Sequence, residues 1–148
     1  MNDAVNNSSS SAPKWFFIFT AIMVIWNLLG VMAFVMQMLI TPEQIAALPE
    51  KEQVLYQGIP MWVNIAFGCA VFGGTLGCIA MLLKKSIALP ILIISLLGVV
   101  VQMYHSFFIS QAIEVYGPGG MVMPIMVLLI AGYLVWLANS AKNKTWLT

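Results

Sequence analysis

The chain has 148 residues, enough for one domain, of which 61% are hydrophobic and only 7% charged, against roughly a quarter charged in soluble domains. A chain this short has too little interior to hide so much apolar surface from water, so lipid is the expected solvent for much of it. Six lysines against five acids leave a net charge of +1, which argues against a nucleic-acid partner, whose phosphates call for a clustered basic face.

Residues 1–14 are polar and rich in Ser and Asn, and are expected to be a disordered cytoplasmic tail. They do not read as a secretory signal, because the apolar run behind them is long and lacks a small-residue cleavage site. That run, residues 15–40, carries no charge and exceeds the ~20 residues that cross a hydrocarbon core. It is the first predicted span.

The connection that follows, residues 41–60, is long and carries helix signals. Thr41, Pro42, Glu43 and Gln44 read as an N-cap, a first-turn proline and a capping box, and Pro49 to Glu52 can open a second short helix that Gly58 stops. Two short amphipathic helices are therefore expected on the outer surface, with Ile45, Leu48 and Leu55 turned to the bundle or to lipid.

The second span, residues 61–83, contains Gly73 and Gly77 in a G-x-x-x-G spacing, and Ala66, Ala70 and Gly74 in a second file of small residues. Gly73, Gly74 and Gly77 are predicted helix-packing positions, serving two neighbours within the bundle or one inside it and one in a second subunit. Cys69 and Cys78, in the same span, stand half a helical revolution apart and too distant to bridge. A tight turn at Lys84 and Lys85 leads to the third span, residues 87–108. The run Gly117 to Gly120 reads as a flexible turn. The fourth span covers residues 121–140, and residues 141–148 are expected as a cytoplasmic C-terminal tail. The fold class is thus all-α, a four-helix integral membrane bundle.

Lysine placement sets the expected orientation, because positive residues in short loops stay on the cytoplasmic side. Lys14, Lys84, Lys85, Lys142 and Lys144 fall on one side, which puts both termini inside. The opposite loops hold four glutamates and only Lys51.

No Asp, Glu, Lys or Arg lies inside the spans, which weakens a proton-driven antiporter reading. Among the uncharged polar residues, Asn27 falls near mid-depth, with Thr75 and Ser95 close to that level. Gln37, Asn64, Gln102 and His105 share the outer leaflet. Two readings stay open for these four: a polar vestibule for a solute or lipid headgroup, or interface residues that hold the helices in register. Met32 and Met36 have the spacing of a soft-metal path, to which Met121, Met123 and Met126 could add, although methionine is also an ordinary apolar residue of membrane helices. No nucleophile, base and orienting group fall together, no metal set exists and no cofactor is implied, so an enzyme is not expected.

Trp26 to Gly30, Thr41-Pro42-Glu43, Ala70 to Gly74 and Lys84-Lys85 together resemble a group of small bacterial four-helix inner-membrane proteins, some carrying a sugar-transporter label. The architecture is also similar to that of DoxX-like membrane proteins. The resemblance implies the four-span topology, a bacterial inner-membrane location and, more distantly, transport. The function expected from residues and resemblance together is passage of a small polar, sugar-like solute through an oligomer, using Asn27, Gln37, Asn64, Gln102 and His105. The alternative is a non-catalytic accessory subunit of a larger membrane complex.

Overall fold

Backbone polar groups find no water inside hydrocarbon, so an apolar chain must close its hydrogen bonds within each segment. The computed structural model, which describes residues 11–148, does this with helices alone: no strand occurs among the described residues. Residues 1–10 of the expected disordered tail lie outside them, and Lys14 already opens the first helix. The order is α1 (Lys14–Leu39), α2 (Pro42–Ala46), α3 (Glu50–Tyr56), α4 (Met61–Leu82), α5 (Ala88–Phe108), α6 (Ala112–Tyr116), a 3-10 turn (Pro118–Met121) and α7 (Val122–Asn143). Four helical stretches, α1, α4, α5 and the 3-10 turn with α7, are long and apolar enough to cross a membrane, with mean hydropathies of 2.3, 2.0, 1.9 and 2.3.

The long helices alternate in direction, which gives the bundle two unlike ends. The lysine end holds Lys14, the turn with Lys84 and Lys85, and Lys142 and Lys144. The loop end holds α2, α3 and α6. The α2 capping box forms in full: Gln44 N donates to Thr41 Oγ1 at 3.3 Å and Thr41 N donates to Gln44 Oε1 at 3.0 Å. Hydrogen bonds from the backbone and from Thr41 hold the Glu43 carboxyl below its ordinary value. Its support for α2 is therefore complete above the ordinary carboxylate pKa and is lost as pH falls through the lowered one. Gln53 Nε2 donates to Leu48 O at 2.8 Å and ties α3 to α2, while Ile45, Leu48 and Leu55 are half-buried. The sequence reading contained no α6. The glycine run read as a flexible turn is regular over Pro118–Met121 and continues directly into α7.

Packing follows the order α1, α4, α5, α7, with the broadest seam between α4 and α5. Small residues make those seams close. A methyl group added at Gly73 would meet Ser95 Cβ at 3.0 Å, one at Gly77 would meet Leu92 Cδ2 at 2.5 Å, and one at Gly98 would meet the Ala66 carbonyl oxygen at 2.6 Å. Beside these contacts Ser95 Oγ donates to Ala70 O at 2.6 Å, crossing from α5 to α4, whereas Thr75 Oγ1 bonds its own helix at Val71 O. Ser95→Ala keeps the small volume and removes this crossing bond. It should lower unfolding stability in detergent by about 1 kcal/mol, whereas the same change at exposed Ser11 should do nothing.

At the lysine end Phe16 is fully buried against Trp15, Phe17 and Trp146, in edge-to-face contacts with centroids 6.3, 5.5 and 5.6 Å apart. It belongs to one cluster with Cys78, Met81, Leu92, Leu134, Leu137 and Ala141, which draws in all four long helices. Residues 145–148, read from sequence as tail, return to the α4–α5 turn: Thr148 N donates to Lys84 O at 2.7 Å and Ser86 N donates to Thr148 O at 2.9 Å. Leu147 is buried beneath this return, and the Lys144 ammonium lies 4.9 Å over the Trp146 ring.

Candidate functional site

α1 and α7 meet at the lysine end, where Phe19 and Tyr133 stack edge to face with centroids 5.4 Å apart. No packing seam comparable to the other three joins them farther along. The two helices therefore flank a cleft whose floor is α4 and α5. Its volume is about 350 Å³, and all four long helices line it.

Asn27 and Gln102 face this cleft together. So do Trp26, Ser95 and Ser106. Asn27 is held firmly: Nδ2 donates to Met23 O at 2.8 Å and approaches Cys78 Sγ at 3.8 Å, and Oδ1 packs over Gly74, occupying the place a Cβ would take there. The half-buried asparagine thus locks α1 to α4 while presenting an amide edge to the cleft. Gln102 and Ser106 stand one helical turn apart on α5, so both reach the same wall. Phe67, Val71, Leu92, Val99, Ile130 and Leu134 make much of the remaining surface apolar.

The other three polar candidates lie elsewhere. Gln37 Nε2 donates to Asn64 Oδ1 at 3.0 Å, which joins α1 to α4 toward the loop end and outside the cleft lining. In a double-mutant cycle, Gln37→Ala and Asn64→Ala should show a coupling of about 0.6 kcal/mol in thermal unfolding, the usual size of one interhelical hydrogen bond in a membrane bundle. His105 is 8% exposed, has the Trp62 ring edge-on at 5.5 Å, and lines a separate hollow of about 200 Å³ with Leu55, Gln57, Ser110 and Gln111. The five candidates are thus distributed over two hollows and one helix–helix bond. They do not share a single vestibule.

Ser106 and Trp26 were absent from the sequence-derived set. The Gln102–Ser106 spacing of four was a usable signal, since two polar residues one turn apart in an apolar helix share a face. Of the methionines considered for a soft-metal path, Met123 alone lines the cleft, and Met32 and Met36 are exposed on α1. No group of three His, Cys, Asp or Glu side chains suited to a metal ion is found among the described residues.

No protein-family model, no curated protein and no solved structure matches the chain.

Proposed function

We propose that this chain is a multi-pass membrane protein that binds a small solute in the cleft between α1 and α7 and takes part in its movement across the bilayer. The observation that carries the reading is the cleft itself, a hollow of about 350 Å³ lined from all four long helices with the Asn27 amide and Gln102 in its walls. Concave sites that are mainly apolar with a few placed polar groups are the usual form of small-molecule sites. Lysine placement supports cytoplasmic positions for Lys14 and Lys144, and the resemblance to small bacterial proteins supports the inner membrane. A homo-oligomer embedded in the lipid bilayer is the working assembly, since four helices rarely enclose a complete path.

The test is thermal unfolding of the purified protein against a panel of sugars, polyols and neutral amphiphiles. A ligand-dependent rise in the midpoint is expected, removed by Gln102→Ala and unaffected by exposed Ile18→Ala. A panel without any response would remove the reading.

A second reading, an accessory subunit of a larger membrane complex, is favoured by α1. Only Phe16 and Thr20 are buried on that helix, and Ile18, Ile22, Ile25, Leu29 and Met36 are exposed. The glycine-rich helix α4 is a weaker docking candidate, because Gly73, Gly74 and Gly77 already abut Ser95, Asn27 and Leu92 of this same chain. Cross-linking from Ile25→Cys separates the readings: a defined foreign partner favours the accessory role, and self-contacts favour the oligomeric solute binder.

A further inference from the structure

We infer that the ligand of the cleft is a neutral single-chain amphiphile, an apolar body with one uncharged hydroxyl or carbonyl head, and not a sugar. The inference rests on the solute-binding reading above and narrows it to a chemical class. Its basis is the hydrogen-bonding capacity of the walls. Ser95 Oγ is committed to Ala70 O, and Asn27 Nδ2 to Met23 O. With Asn27 Oδ1 packed over Gly74, the groups left to offer are Gln102 and Ser106, which form one polar spot on α5, and the single indole N–H donor of Trp26 on α1.

A sugar carries hydroxyls on every side, and each one buried without a partner opposes binding. One spot with an amide and a hydroxyl satisfies a single head group, as donor and as acceptor. No Asp, Glu, Lys or Arg lines the cleft, so a charged head would be desolvated without compensation.

The distribution of the lining points the same way. Gln102 and Ser106 lie toward the loop end of α5, with Met123 and Pro124 facing them from the start of α7. Leu92, Ile130 and Leu134 lie toward the lysine end. An amphiphile seated here has its head near one end of the bundle and its body directed to mid-depth, the orientation that bilayer amphiphiles already have. A volume of about 350 Å³ accommodates roughly a dozen groups of water size at ~30 Å³ each, enough for a medium-length chain. The absence of a long α1–α7 seam leaves a flank through which such a molecule passes between bilayer and cleft without crossing the loop end.

The protein reconstituted in phosphatidylcholine vesicles is titrated with a medium-chain fatty alcohol brominated along its chain, and the share of tryptophan fluorescence lost in Trp26→Phe is followed. Saturable quenching of that share is expected, competed by the unbrominated alcohol and not by glucose. Ala131→Phe and Ala33→Phe, which fill the cleft from α7 and from α1, should each weaken it by about tenfold; one folded variant of the two suffices. Displacement by glucose, or tighter binding of the ionised fatty acid than of the alcohol, would overturn the neutral amphiphile and leave solute binding in the cleft standing. Unsaturable quenching that neither filled variant changes, with no thermal response to any solute, would overturn both.

Discussion

Gly98→Ala should lower the thermal midpoint of the detergent-solubilised protein more than any other single added methyl group. The new Cβ would stand 2.6 Å from the Ala66 carbonyl oxygen and 2.9 Å from the Ala70 nitrogen, and both are backbone atoms of a regular helix. A flexible side chain can rotate away; a helix backbone cannot. Relief therefore requires α4 and α5 to separate along the broadest seam of the bundle, which also strains the Ser95 to Ala70 bond one turn away. Overpacking of this kind costs about 3 kcal/mol, the upper part of its usual range. Gly132→Ala is the control. Nothing lies within 4 Å of its added Cβ, so the change should be neutral or raise stability by about 0.5 kcal/mol through the better helix propensity of alanine. Equal midpoints for the two variants would show that the α4–α5 seam is looser than described.

Phe16→Ala is expected to destabilise by about 2 kcal/mol, mostly through the cavity it leaves. The transfer contribution is discounted, because lipid is nearly as apolar as the cluster it would replace. Phe16 is fully buried and touches rings of α1 and of the returning tail, so its loss loosens the contact that holds α1, α7 and residues 145–148 together. Two readouts follow from that position. Proteolysis of residues 145–148 should accelerate, and the fluorescence of Trp146 should shift to that of a wetter indole. Ile18→Ala, two residues away and 62% exposed, should change neither. If Phe16→Ala and Ile18→Ala behave alike, the cluster does not hold the lysine end.

The local features were legible because they are written in short stretches of chain. Uninterrupted apolar runs mark the four long helices, and Thr41 with Gln44 marks the start of α2 through a cap that needs only four residues. The features that required the fold are those that join distant residues. Gly74 looked like one more small residue in a file, yet its partner is the Asn27 side chain on another helix. Gln37 and Asn64 were placed at similar depth, but depth alone could not say that they satisfy each other instead of facing a solute. Depth also grouped His105 with Gln102, three residues before it on α5; the two stand about 60° apart around the helix, on adjoining faces, and one lines the cleft while the other lines the hollow beneath α3. The return of Thr148 to Lys84 pairs residues that bracket the last two long helices and leaves no periodic trace. The cleft itself was invisible in sequence, since it arises from a seam that two helices fail to make.

The unequal seams also imply an order of assembly. α4 and α5 share the broadest contact and are joined through residues 83–87 alone, so little loop entropy opposes their pairing. This hairpin should form first, with α1 and α7 docking on its two flanks afterwards. Amide exchange should then rank the molecule in layers, slowest in the hairpin and faster in the two outer helices. The walls that move most easily would be those bounding the cleft, so its mouth can widen while the central hairpin stays folded.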